Sequence, residues 1–175
     1  MRYVLAAVIA SLALGRAWAA DAPANLTVEL KNSAGASAGS ATLTAAPNGV
    51  LAHIEAKGLT PGWHGVHFHE TGDCSKPGFT SAGAHIHSQA SVVHGLLNPD
   101  GNDSGDLPNL YAGADGSATA DVFSTYVSFG GTAARPGLLD KDGSALVIHA
   151  NPDDYKTQPI GGAGARVACG VIGAP

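Results

Sequence analysis

Positive charge is scarce in this sequence. Nine Lys and Arg face 14 Asp and Glu, a formal net charge of −5. Phosphate binding needs a basic face, so nucleic acid is excluded as a partner. Strong helix signals are also missing. The only long apolar run, Tyr3 to Leu14, is about a dozen residues before Gly15-Arg16 interrupts it. A membrane-spanning helix needs about 20. Cysteine is limited to two residues, Cys74 and Cys169, so only one pairing exists within the chain.

The short apolar run has another use. Arg2 precedes it, and Ala17-Trp18-Ala19 follows as a small-x-small cleavage signal. This pattern predicts a secretory signal peptide over residues 1–19 and a mature domain over 20–175. No Cys follows the run, so a lipid anchor finds no support. Removing Arg2 and Arg16 leaves seven basic side chains against 14 acidic ones, a net charge of −7. An exported protein with an even number of Cys normally pairs them. Pairing Cys74 with Cys169 closes a loop of about 95 residues, worth roughly 4–5 kcal/mol at most in the chain-entropy model.

Alternation with period two runs through the mature part. Leu26, Val28 and Leu30 alternate with Thr27, Glu29 and Lys31. Val50, Ala52, Ile54 and Ala56 alternate with Leu51, His53, Glu55 and Lys57, and Ala118, Ala120 and Val122 with Thr119 and Asp121. Ala145 to His149 and Val167 to Ile172 are apolar runs of strand length. Short strands separated by Gly, Pro, Asn and Asp predict an all-β antiparallel sandwich or barrel. Ser33 to Ser40 reads as a hairpin turn or edge loop. Two regions fit no strand, about Glu70 to Asp115 and about Asn151 to Ala165. Long loops inside a compact domain are usually functional or disordered. The first carries His and a Cys, and metal binding gives it a reason to be ordered.

The histidines are patterned. His67 and His69 stand at i, i+2, which on a strand places both imidazoles on one face. His85 and His87 repeat the spacing; His94, Asp106 and His149 follow. Imidazole suits copper and zinc, and a carboxylate can complete a zinc site. His64 reads as a hydrogen-bonded structural residue and His53 as solvent-facing. Trp63 follows Pro61-Gly62 and fits either an exposed subunit contact or a packed turn.

Taken in order, these elements resemble one family. They are Gly65-Val66-His67-Phe68-His69-Glu70, Ser81-Ala82-Gly83-Ala84-His85, His94-Gly95, Gly105-Asp106-Leu107-Pro108-Asn109-Leu110, Leu146-Val147-Ile148-His149 and Gly164-Ala165-Arg166-Val167-Ala168-Cys169-Gly170. The sequence is similar to the copper–zinc superoxide dismutases, in their bacterial exported form, from about Leu26 to Gly173. The resemblance implies a Greek-key antiparallel β-sandwich or barrel of about eight strands with two long functional loops. It implies copper at His67, His69, His85 and His149, with His85 shared with zinc. Zinc would further take His94 and Asp106. Asp153 matches the Asp that hydrogen-bonds a copper His and a zinc His. Arg166 matches the active-site Arg beside the open copper position, and Cys74 and Cys169 match the intrasubunit disulfide.

One departure stands out. The family's third zinc His falls three residues before the zinc Asp, and here that position is Asp103. His87 occupies a position that ordinarily holds no ligand. The expectation is that His87 supplies the lost imidazole, because this keeps three His and one Asp. Asp103 as a direct ligand is the alternative, and a weak or absent zinc site is the third.

The reaction implied is the disproportionation of superoxide to oxygen and hydrogen peroxide. Copper cycles by one electron, and zinc holds His85. The substrate is an anion, so the local field of the metals and Arg166 must outweigh the net negative charge, with Lys76 and Lys156 as further guides. Competing readings are a non-catalytic copper- or zinc-binding module on the same fold and a copper-only dismutase. The leader and the disulfide predict export, to the periplasm if the source is a Gram-negative bacterium. Monomer and homodimer are both left open.

Overall fold

The computed structural model describes residues 24–173. The predicted leader and its cleavage site lie outside the described residues. Among the described residues nine strands form: β1 (Asn25–Asn32), β2 (Ser37–Ala46), β3 (Gly49–Ala56), β4 (Gly62–His64), β5 (Val66–His69), β6 (Leu110–Ala112), β7 (Ala118–Ser124), β8 (Ser144–His149) and β9 (Arg166–Ile172). Seven join one antiparallel sheet in the order β5-β8-β9-β1-β2-β3-β7, while β4 pairs with β6. The small pair links the edges of the large sheet. β4 leads into edge strand β5 through Gly65, and β6 leads into edge strand β7 through a tight turn. The sheet therefore curls on itself. No helix among the described residues is long and apolar enough to cross a membrane.

The alternating residues fill the interior. Val28, Leu30, Val50, Ala52, Ile54 and Val122 are all buried in one core. Two strands differ from the expected regions. β2 reaches back to Ser37, so the turn is only residues 33–36. β6 lies inside the stretch read as structureless, and its three residues pair with β4.

β5 and β8 pair edge to edge and are buried at every position. Val66, Phe68, Leu146 and Ile148 point into the core. The opposite faces are buried because loops cover them. Ala145 and Val147 of β8 pack with Cys169 of β9 and with Phe79 and Ala82 from the loop after β5. Thus alternation on β5 sends Phe68 inward and leaves His67 and His69 under the loops.

Candidate metal centre

The outer face of β5 is where the histidines gather. His67 and His69 project from β5, and His149 ends the neighbouring strand. The long loop then zips onto the free edge of β5. Single backbone bridges pair His69 with His85 and His67 with Asp106. The Phe68 N–H donates to the Gly105 carbonyl, and the Ile86 N–H donates to the Phe68 carbonyl, both at 2.9 Å. Gly105 permits this approach, since a Cβ there would run into the Phe68 carbonyl.

Two groups of side chains converge. His67, His69, His85 and His149 each offer a ligand atom within 4.8 Å of the others. So do His67, His85, His94 and Asp106, and all six residues are buried. The outer nitrogen of most rings is already committed. His67 Nε2 donates to Asp153 Oδ2 at 2.8 Å, and His94 Nε2 donates to Asp153 Oδ1 at 3.1 Å. His69 Nδ1 and His149 Nδ1 donate to the carbonyls of Gly83 and Gly164, each at 3.0 Å. These contacts fix tautomer and ring orientation, and they leave one lone pair per ring pointing inward.

The inward atoms have no partner. His67 Nδ1, His69 Nε2, His85 Nε2, His149 Nε2, His94 Nδ1 and Asp106 Oδ1 are all buried without a hydrogen bond. Among the described residues only Ser128 Oγ shares that condition. His94 Nδ1 and Asp106 Oδ1 stand 2.6 Å apart yet are not aligned as donor and acceptor. Each unsatisfied buried polar group costs roughly 1–3 kcal/mol. Six together, all nitrogen or oxygen and all convergent, suit borderline metal ions such as copper and zinc.

The electrostatics divide the cluster. Burial lowers the pKa of His69 to about 2 and that of His149 to about 3, with neighbouring His rings and Arg166 adding to the effect. Burial also lowers His67, despite its bond to Asp153. These rings stay neutral, as ligands must. At the other end burial again disfavours charge, but carboxylates outweigh it. Asp103 and Asp106 raise His85, and together with Asp153 they push His94 up to about 11. Burial opposes ionisation of Asp103, Asp106 and Asp153, yet hydrogen bonds from His rings hold all three below the usual carboxylate range.

Arg166 opens β9, paired with His149 just past a register shift in the β8–β9 ladder. Its guanidinium donates to the carbonyls of Phe79 and Gly83, each at 2.6 Å. It lines a cavity of about 280 Å³ shared with His69, His85 and His149. Cys74 and Cys169 form a disulfide, so the loop supplying those carbonyls is tied to β9 itself.

His87 stands apart from both groups, contrary to the expectation that it replaces the lost imidazole. Its Nδ1 donates to the His85 carbonyl at 2.8 Å, its side chain is 32% exposed, and its nearest carboxylate is Glu70 at 3.9 Å. The chain makes a single backbone bridge at His85 and then leaves the strand edge, so i, i+2 alternation does not carry His87 inward. Asp103, the alternative, is buried against the second group, with Oδ2 2.8 Å from His85 Nδ1. His64 is buried and spans the His149 and Thr60 carbonyls, and His53 pairs at the surface with Asp121.

Two supporting residues escaped the reading of the sequence. Asn109 grips the backbone of Asp153, accepting from its N–H at 2.9 Å and donating to its carbonyl at 2.8 Å. Gln158 does the same for His94, at 2.9 and 2.8 Å. Both are polar loop residues without a spacing signal; only the order Asp106-Leu107-Pro108-Asn109 hinted at the first.

Comparison with known proteins agrees with this geometry. The family pattern for copper/zinc superoxide dismutase (SODC) matches residues 37–172. A superoxide dismutase [Cu-Zn] of Caulobacter vibrioides is 66% identical over 146 residues, covering 83% of this chain and 84% of that protein. The chain belongs to the copper/zinc superoxide dismutase family. Its fold matches a superoxide-dismutase-like protein from Bacillus subtilis with a TM-score of 0.76 and 38% identity, over 83% of this chain and 97% of that one. It matches the Cu/Zn superoxide dismutase from Brucella abortus with a TM-score of 0.68 and 32% identity, over 85% and 99%. As a member of the family it is an oxidoreductase that disproportionates superoxide, with copper and zinc as cofactors.

Proposed function

We propose that His67, His69, His85 and His149 hold the copper, and that His85, His94 and Asp106 hold the zinc. The carrying observation is the position of the His85 ring. Its Nδ1 faces Asp103 and Asp106 at 2.8 and 3.5 Å, whereas its Nε2 is buried among the copper-side rings without a partner. One ring thus serves both groups. Copper, when bound, supplies the one-electron couple that zinc lacks.

The chain's own residues do the rest. Asp153 orients one ring from each group, His67 and His94, through a single buried carboxylate. His85 Nε2 is placed to hold a proton destined for the peroxide product, because its other nitrogen is turned to the carboxylates. Arg166, oriented by two carbonyls, binds and aligns the superoxide anion in the cavity beside His69, His85 and His149. Burial lowers the Arg166 pKa only from its very high ordinary value, so the cation persists. Lys76 and Lys156 in the flanking loops add to the guiding field.

Metal analysis beside a superoxide-consumption assay tests this reading. Copper, about one zinc and rapid consumption are expected. Zinc alone without activity would instead make the protein a metal-binding module.

The residue boundary and compartment complete the proposal: residues 1–19 are a cleaved leader, 20–175 the mature domain, and the periplasm its location. The disulfide supports an oxidising compartment. Mass spectrometry of periplasmic protein should find a mature chain starting at Ala20. Trp63 and Tyr111, 55% and 56% exposed and meeting edge to face, support a homodimer contact. Sedimentation of wild type and Trp63→Ser checks it: a dimer should become a monomer.

A further inference from the structure

We propose that Asp103 is the fourth zinc ligand, through Oδ2, so that the zinc position has two imidazoles and two carboxylates. The inference rests on the metal assignment above and deepens it.

Elimination narrows the choice of fourth donor. His67 falls within reach of the zinc-side group, but its Nε2 is bound to Asp153 and its only free nitrogen, Nδ1, already belongs to the copper group. One nitrogen cannot serve two ions. His87 donates to the His85 carbonyl and is about a third exposed to solvent.

Asp103 fits on three counts. It is buried, 4% exposed, against His85 and His94. Its Oδ2 lies 2.8 Å from His85 Nδ1 and 3.6 Å from His94 Nδ1, and Asp106 Oδ1 lies 3.5 and 2.6 Å from the same two nitrogens. Each of the two ring nitrogens thus lies within 3.6 Å of an oxygen from both carboxylates. Its other oxygen, Oδ1, accepts the Gly105 N–H at 3.0 Å, which fixes the carboxylate with Oδ2 inward.

The third count is chemical. Oδ2 has one partner, the proton on His85 Nδ1. Zinc on that nitrogen removes the proton. A buried carboxylate oxygen would then have no donor, which is costly. Coordination to the same ion satisfies it. The result is a harder, more anionic site than three imidazoles and one carboxylate give, and it favours oxygen-preferring divalent ions relative to that set.

The test uses the full mature protein, with zinc affinity from chelator competition and the visible bands of Co²⁺ bound in the zinc position. Asp103→Asn should weaken zinc by more than the roughly 10–100-fold typical of losing an outer partner. Asp103→His should keep zinc and shift the Co²⁺ bands, because an imidazole replaces a carboxylate on the ion. His87→Ala should change neither reading. Unchanged Co²⁺ bands in Asp103→His, or lost zinc in His87→Ala, overturns the proposal. His94→Ala and Asp106→Ala separate the two levels. If they lose zinc while both Asp103 variants retain the wild-type spectrum and affinity, only the Asp103 inference fails. If they also bind normally, the underlying zinc assignment fails.

Discussion

Arg166 on β9 donates a hydrogen bond to the Phe79 carbonyl, 2.6 Å away, in a loop joined to the same strand by the Cys74–Cys169 disulfide. The guanidinium proposed to bind the anionic substrate is therefore oriented by a segment that β9 itself holds in place.

Reversing the charge at Arg166 should leave the metals bound and slow the reaction. Arg166 lines the cavity without belonging to either convergent group. Electrostatic steering is worth about 10- to 1,000-fold in association rate. Arg166→Glu should fall within that range at low salt, and added salt should narrow the gap to wild type. Stopped-flow superoxide consumption with metal analysis checks it. Full activity in Arg166→Glu would remove the residue from the mechanism.

Breaking the disulfide should cost both stability and rate. Cys74→Ser with Cys169→Ser removes the cross-link, and loss of a native disulfide typically costs about 2–5 kcal/mol. The carbonyls of Phe79 and Gly83 would then be free to drift from Arg166. Denaturant unfolding should show lowered stability, and the residual folded protein should turn over superoxide more slowly than wild type at equal copper content. Equal specific activity would show that the loop holds Arg166 without the link.

The metal-free protein should be most stable near neutral pH. His69 and His149 have folded pKa values of about 2 and about 3 against an ordinary 6.5, so below 6.5 the unfolded chain binds their protons first. Stability then falls with pH, by about 1.4 kcal/mol per unit for each such ring. His94 works in the opposite sense. Its folded value is raised to about 11, so its contribution is full below 6.5 and fades as pH rises toward that value. Urea unfolding of the metal-free chain from pH 5 to 9 should trace a maximum. A flat profile would contradict the electrostatic division of the cluster.

Much of this fold and site is legible in the sequence. Apolar residues at alternate positions mark β1, β3 and β7. β2 was hidden because much of it is Ser, Ala, Gly and Thr, whose burial leaves little hydrophobic contrast. β6 was too short to carry a period. The histidines of β5 obeyed the strand rule, since β5 is a strand. His87 broke it, since the chain has left the sheet edge by then. Asp103 was visible as the odd residue in its motif, but only folding shows that its carboxylate, and not the His87 ring, faces His85 and His94.

The central claim is that one ring, His85, joins the copper and zinc positions. Electron paramagnetic resonance of the derivative with Cu²⁺ in the copper position and Co²⁺ in the zinc position tests it most directly. A shared imidazole couples the two ions magnetically, so the Cu²⁺ signal should vanish in wild type and remain in the zinc-free form. A Cu²⁺ signal at full intensity with Co²⁺ bound beside it would contradict the shared ring.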